Sequence, residues 1–523
     1  MTRLLGALAL LFALLALPAS ADPGDVDAAA RGVVRVVIIG SGNGQPSPVS
    51  HGTGFAISPT RIVTNAHVVA EAAQDDTLRI GIVPAEGEGG AFARVLAVSP
   101  RNDLALLEIA KGSLRLPPLA LAGGSIANLG EVAAVGYPMN VDLAQGLEMN
   151  DIFRAQPPVK SRGFISGVRP SRQFDTILHT APIARGNSGG PLLDACGRVI
   201  GVNSFSTDGA SGDAEFYFAV SLRELVPFLR GNGVEPVVNT LPCRSIDELN
   251  AAERQRLEAE QGQARAKLAE RTESLREVRE KARLTAQMEV IAARENRMAL
   301  AFVALLAALG VGLAASQWRG DPAKRTQLRI AAGLAGACVV FAALLWATRP
   351  GLSEIEDRVA AAIAKAEGRA PSGPAAALAD KAGEGALICT LVPERSRVTS
   401  ARTDDVAFEW SADGCVNKRT QYGLGKGGEW QRVFAAQDDA AVAVNTYAPA
   451  TRTLRTDRYL LGQEALAAAR AAREAYTPPA CGASDAARTL GEQQSALIAA
   501  LPDRPNERLV YSCTAKTPAP PAR

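Results

Sequence analysis

Two apolar runs near the middle of the chain limit every fold it can adopt. Residues 299–316 read ALAFVALLAALGVGLAAS, and residues 328–347 read LRIAAGLAGACVVFAALLWA. As helices they extend about 27–30 Å, enough to cross the hydrocarbon layer of a bilayer. Arg329, at one edge, is the only charge in either run. Trp318 and Trp346 stand at span ends, where amphipathic rings favour the membrane interface. The runs predict a two-helix transmembrane hairpin. The remainder of the 523-residue chain must then divide into soluble parts before and after it.

The two ends of the hairpin are oriented by charge and by the N-terminus. Residues 1–21 read as a signal peptide: Arg3, an apolar stretch from Leu4 to Leu17, Pro18, and the small-x-small site Ala19-Ser20-Ala21. The loop 317–327 carries Arg319, Lys324 and Arg325, a bias that favours the cytoplasmic side. An exported N-terminus and an inside loop put both soluble parts on the same outer side. The lipid bilayer is thus an expected partner. Nucleic acid is not, because 56 basic residues nearly balance 54 acidic ones and the net charge is +2.

Cysteine usage agrees with export. None of the seven forms a C-x-x-C pair, which argues against a metal site. Cys338 falls in the second span. Cys196 and Cys243 precede the hairpin, and Cys389, Cys415, Cys481 and Cys513 follow it. Each set is even, so disulfides are expected in an oxidising compartment. Cys196 and Cys243 can bridge a strand and a closing segment. The last four allow three connectivities.

Residues 30–235 alternate short apolar runs with Gly/Pro turns: VVRVVIIG, GTGFAIS, RIVTNAHVV, DLALLEIA, EVAAVGYP, GRVIGVNSF. This is the pattern of an all-β barrel or sandwich. SLRELVPFLR then predicts a closing helix capped by Ser221 with Glu224. Residues 245–298 contain no proline and are rich in Ala, Glu, Arg and Leu, which predicts a long helix or coiled coil. Its seams are interrupted at Gln261, Arg271 and Glu289, with Gly262 a soft point. That helix offers a surface for self-association. The first span follows at 299–316 and the second at 328–347. After a linker at 369–385, residues 386–515 predict a small α+β domain containing the disulfides, with strands such as VAFEW and AVAVNTYA and a helix over GQEALAAARAAREAY.

Only three histidines are present. His67 follows an apolar strand in RIVTNAHVV, Asp103 heads another in NDLALLEIA, and Ser188 lies in ARGNSGGPLLD. A serine hydroxyl is a poor nucleophile near neutral pH and needs a base to take its proton. His67 can do so, and a carboxylate at Asp103 can hold its tautomer. The amides of Gly186 and Ser188, with Asn187 between them, can face a developing oxyanion. His51, in a Ser/Pro/Gly stretch, is expected at the surface. His179 is expected to be a packed structural residue.

The segments GTGFAISPTRIVTNAHVV, NDLALLEI, VAAVGYP, GNSGGPLLD and FYFAVS resemble, in order and spacing, those of trypsin-like serine proteases of the HtrA/Deg type. The resemblance covers residues 30–230. It implies a double β-barrel with the active site between the barrels, a His67-Asp103-Ser188 triad, polypeptide substrates and no cofactor or metal. By position it also implies that Pro182, Tyr217, Phe218, Ala219 and Val220 line an uncharged specificity pocket. The chain departs from the family just before the serine, where Thr180, Ala184 and Arg185 replace Asp, Asn and Pro. A PDZ module is not recognisable. The expected protein is a serine endopeptidase anchored in a bacterial inner membrane, both soluble parts facing the periplasm. The alternative is a membrane-anchored sensor or scaffold that binds peptides with little turnover.

Overall fold

The computed structural model describes residues 23–516 apart from 43–44, 112–113, 125–129, 149–150, 171–173, 207–214, 320–324, 352, 368–383, 426 and 438. The signal peptide expected at 1–21, most of the linker at 369–385 and part of the loop at 317–327 lie outside the described residues. The chain divides into two compact units, Met1–Glu253 with Lys381–Arg523, and Arg254–Asp380.

The first described element of the first unit is helix α1 (Pro23–Ala30). Short β-branched runs then pair with their neighbours in sequence. Strands β1 (Val33–Gly42), β2 (Gln45–Ser58), β3 (Arg61–Thr64), β4 (Arg79–Val83), β5 (Ala91–Ser99) and β6 (Leu104–Lys111) close into a barrel, in the order β1-β2-β3-β6-β5-β4. A one-turn helix, α2 (Ala66–Val69), follows β3. Strands β7 (Leu121–Ala122), β8 (Glu131–Gly136), β9 (Val159–Pro170), β10 (Asp175–His179), β11 (Pro191–Leu193), β12 (Val199–Ser206), β13 (Tyr217–Ser221) and β14 (Val238–Asn239) form a second sheet. Pairing of β11 with both β8 and β12 closes six of them into a second barrel. Phe55, Leu104 and Leu106 of the first barrel share one apolar cluster with Val135, Leu193 and Val220 of the second. Removing that much apolar surface from water fixes the barrels against each other.

Helix α3 (Met139–Ala144) follows β8, and helix α4 (Leu222–Gly231) follows β13. Ser221 occupies the N-cap position of α4, but its hydroxyl makes no capping bond. Glu224 turns elsewhere, accepting from Asn102 Nδ2 at 2.9 Å and from the Asp175 amide at 3.1 Å. The expected capping box is therefore not formed, because tertiary donors compete for the carboxylate.

The long helix expected at 245–298 and the span expected at 299–316 are one helix, α5 (Ile246–Ser316), of 71 residues. No proline separates the charged part from the apolar part, and both Gly262 and Asn296, a capping type of residue at the junction, stay helical. Helix α6 (Arg325–Ala347) and helix α7 (Glu354–Glu367) follow. The apolar windows of α5 and α6 reach mean hydropathies of 2.4 and 2.2, long and apolar enough to cross a membrane. Their large side chains, including Phe302, Leu309, Leu313, Phe341 and Leu344, face outward, while Ala301, Ala308, Ala315, Ala331 and Ala342 are buried.

The remaining part of the first unit is a nine-stranded sheet of β15 (Gly385–Leu391), β16 (Val406–Trp410), β17 (Cys415–Val416), β18 (Thr420–Gln421), β19 (Gly423–Leu424), β20 (Trp430–Phe434), β21 (Val442–Ala448), β22 (Thr453–Tyr459) and β23 (Glu507–Ala515). Helices α8 (Gln463–Glu474) and α9 (Ala486–Ala499) cover one face through Leu466, Ala469 and Leu497. Trp410, Tyr447, Leu454 and Tyr511 pack on the other. Helix α9 had no counterpart in the sequence reading.

Three disulfides join Cys196 to Cys243, Cys389 to Cys513 and Cys415 to Cys481. Cys338 is free. The buried Arg397 donates to Asp25 of α1 and to the carbonyl of Arg244, and Asn239 donates to the carbonyl of Val398 at 2.5 Å. The terminal sheet is thus bonded directly to the barrels.

Candidate active site

The site lies where the two barrels meet. Asp103 is the residue just before β6, with φ at 52°, a left-handed conformation that Asp tolerates better than most residues. This turn presents its carboxylate to α2. Both carboxylate oxygens lie 3.0 Å from His67 Nδ1, and Oδ1 also accepts from the His67 amide at 3.1 Å. An ionised carboxylate only accepts, so Nδ1 carries the hydrogen and Nε2 is left as an acceptor. The imidazole is half exposed at 51%, and the Asp103 side chain is 17% exposed. Two further groups fix Asp103: Asn65 Nδ2 donates to its carbonyl at 2.8 Å, and Ser204 Oγ donates to Oδ2 at 2.5 Å.

Ser188 sits between Gly186 and β11. Its hydroxyl donates to the carbonyl of Ser204 at 3.0 Å and makes no hydrogen bond to His67 among the described residues. The Asn187 amide donates to the Ala184 carbonyl at 3.0 Å. The amides on either side of it, of Gly186 and Ser188, donate to no protein acceptor among the described residues. Gly186 has φ at 98°, and a Cβ there would fall 2.2 Å from the Tyr137 carbonyl oxygen. Only glycine fits that turn.

Thr53 of β2 ties these parts together. Its hydroxyl donates to the Gly186 carbonyl at 2.6 Å and accepts from the Tyr137 amide at 3.0 Å. Its own amide donates to the Ser188 carbonyl at 2.9 Å. Ser204 links the two halves of the site, its carbonyl accepting from Ser188 and its hydroxyl donating to the carboxylate that pairs with His67.

Residues 52–202 match the family model of the trypsin-like peptidase domain, a span that contains His67, Asp103 and Ser188. The chain carries a trypsin-like peptidase domain. A serine protease of Mycobacterium tuberculosis is 33% identical over 198 residues, covering 38% of this chain and 46% of that protein. The mitochondrial serine protease HTRA2 of Bos taurus is 35% identical over 209 residues, covering 39% and 41%. A probable periplasmic serine endoprotease, DegP-like, of Chlamydia pneumoniae is 34% identical over 183 residues, covering 34% and 33%. The chain spans less than half the length of each of these relatives. Among solved structures, an HtrA-type protease, AlgW with tripeptide, aligns with 22% identity and a TM-score of 0.31 over 40% of this chain and 62% of that one.

Within the peptidase domain the residues expected to line a pocket separate. Pro182 is exposed and Phe218 half-buried, whereas Ala219 and Val220 pack into apolar core clusters. Tyr217 is buried, stacks with His179 at 6.0 Å between ring centres, and donates to Glu215 at 2.7 Å. His179 is fully buried, which pushes its imidazole down to about 4.

His51 corrects the sequence reading. It was expected at the surface but is 8% exposed on β2, because that strand continues through Pro46 and Pro48. The register shift between Ile38 and Ile39, opposite Pro48, is the kind of irregularity that admits proline in a sheet. Burial, with the nearby Arg35 guanidinium, pushes His51 down to about 4. Its Nε2 lies 3.4 Å from Asp142 Oδ2. Sequence reasoning also missed Thr53, Asn65 and Ser204. Thr53 was visible only as the residue between two glycines in GTG.

Proposed function

We propose that the chain is a membrane-anchored serine endopeptidase. The observation that carries this reading is the pairing of His67 Nδ1 with Asp103, whose carboxylate is joined through Ser204 to Ser188, next to two amides that are unpaired among the described residues. In the reaction, Ser188 Oγ rotates away from the Ser204 carbonyl toward His67 Nε2. His67 takes the hydroxyl proton as Oγ attacks the peptide carbonyl. The Gly186 and Ser188 amides receive the oxyanion, and Asp103 stabilises the imidazolium. His67 then protonates the leaving amine. Water, activated by the same base, hydrolyses the acyl-enzyme.

Export and anchoring have separate support. The outward-facing leucines and phenylalanines of α5 and α6 are costly in water and stable in lipid. Three disulfides suit an oxidising compartment. DegP-like relatives carry periplasmic in their names. On this reading α5 and α6 form a hairpin in the inner membrane, and the peptidase domain and terminal sheet face the periplasm. Exposed Leu257 and Leu268 on one face of α5, and Leu284 and Met288 on the opposite face, offer apolar surface for self-association. Pro182 and Phe218 carry no charge themselves, which favours an apolar side chain before the scissile bond. The role is envelope protein quality control or regulated proteolysis.

A second reading rests on one observation: the Ser188 hydroxyl is bonded to Ser204 rather than to the base. A scaffold that binds peptides with little turnover would tolerate this. The two readings separate when the full chain, purified in detergent, is incubated with an unfolded polypeptide. Cleavage by the native chain that is lost in Ser188→Ala supports the endopeptidase. Equal binding by both without cleavage supports the scaffold.

A further inference from the structure

A trans peptide points its C=O and N–H in opposite directions. Whatever holds the Arg185 carbonyl therefore aims the Gly186 amide. That holder is Met139, whose amide donates to the Arg185 carbonyl at 2.7 Å. The Arg185 side chain itself is exposed and takes no part in this bond. Met139 is the first residue of α3, where an amide has no acceptor within the helix.

The rest of α3 is pinned from beneath. Asp142 accepts from Arg35 Nη2 of β1 through both carboxylate oxygens at 3.0 Å. Arg35 is 1% exposed, lies 4.6 Å from the centre of the Tyr137 ring, and donates to the Ile152 carbonyl at 3.2 Å. The pair adjoins the oxyanion loop: a Cβ on Gly186 would lie 3.1 Å from the Met139 nitrogen and 3.2 Å from His51 Nε2, and His51 in turn faces Asp142.

We propose that Met139 is a positioning residue: its amide sets the Arg185–Gly186 peptide so that the Gly186 N–H faces the oxyanion, and the buried Arg35–Asp142 pair holds that amide in place. The inference rests on the endopeptidase reading. It locates the control of the oxyanion hole in a backbone amide of α3, in the same barrel as the GNSGG loop but outside that loop, and ties it through Asp142 to Arg35 on β1 of the other barrel. Without the Met139 donor the Arg185 carbonyl loses its partner, and the peptide is free to flip its N–H away from the substrate.

Met139→Pro removes this donor and little else. Proline is well accommodated at a first helical position, and Pro138 has ψ at 125°, the extended backbone that precedes proline. The assay uses the full chain in detergent, with kcat and KM for a peptide substrate and the affinity of a peptide boronate. The boronate forms a tetrahedral adduct that needs the oxyanion donors. The expected result is a kcat about 10²-fold lower, KM within about twofold and a matching loss of boronate affinity. A folded Met139→Pro chain with native kcat and boronate affinity overturns the inference. If that variant does not fold, Asp142→Asn decides on the same readouts, with loss of kcat at constant KM expected and native values contradictory. Native chain that neither turns over substrate nor binds boronate overturns the endopeptidase reading, and the inference falls with it. Native activity with unaltered variants overturns the inference alone.

Discussion

The Ser188 hydroxyl donates to the Ser204 carbonyl at 3.0 Å, while the Ser204 hydroxyl donates to Asp103 at 2.5 Å. One residue thus touches both the proposed nucleophile and the carboxylate proposed to orient His67. Ser204→Ala keeps the carbonyl and removes only the bond to Asp103. A hydrogen bond to a charged group is worth about 1.5–3 kcal/mol, and part of that is recovered by water. The expected effect is a kcat about tenfold lower at constant KM, read by steady-state kinetics. An unchanged kcat would mean that His67 alone orients the carboxylate.

Thr53 holds the carbonyls of Gly186 and Ser188 at once. Thr53→Val preserves shape but leaves the Gly186 carbonyl and the Tyr137 amide without their partner. Burying unsatisfied groups costs about 1–3 kcal/mol each. We expect a lowered melting temperature together with a kcat about 10- to 100-fold lower. Thr53→Ser, which restores the hydroxyl, should recover most of both. Failure of serine to rescue would assign the residue to packing.

His51 and His179 are both pushed down to about 4 by burial, from an ordinary value of 6.5. Between those values the unfolded chain binds a proton at each that the folded chain does not. Stability is therefore complete above pH 6.5 and falls as pH drops toward 4, by about 3 kcal/mol for each histidine. Asp142, whose carboxyl is raised by burial against the pull of Arg35, works in the opposite direction and offsets part of this. Denaturant unfolding at pH 7 and pH 4.5 measures the loss. His179→Gln should lose about 2–3 kcal/mol less than the native chain over that interval. Equal losses would contradict the burial argument.

The Asp25–Arg397 pair joins α1 to the terminal sheet and is buried on both sides. Removing one member of such a pair leaves an uncompensated charge and costs about 3–5 kcal/mol. Asp25→Ala is expected to lower the unfolding temperature of the barrels and the terminal sheet together. Two transitions, with only one shifted, would show that the parts unfold independently.

The sequence carried those features whose physics is local. Strand-forming runs around His67 and Asp103, and glycines around Ser188, place each residue on its own element. Even cysteine counts on either side of the spans anticipated bonding within each set. The features it did not carry depend on backbone groups or distant partners. The Met139 amide leaves no trace in residue identity. His51 resembles a loop residue because its prolines are absorbed by an irregularity in β2. Glu224 fits a capping pattern, yet Asn102 and Asp175 claim it. The division of α5 into two helices followed composition, whereas helical hydrogen bonding ignores a change from charged to apolar side chains.

The central claim is that Ser188 is a nucleophile activated by His67. Its most direct test is fluorophosphonate labelling of the full chain, with the adduct mapped by mass spectrometry. The account predicts one adduct on Ser188, abolished by Ser188→Ala and strongly slowed by His67→Ala, with Ser188→Ala costing about a millionfold in turnover. Labelling that persists in Ser188→Ala, or a native chain that takes no label, would contradict it.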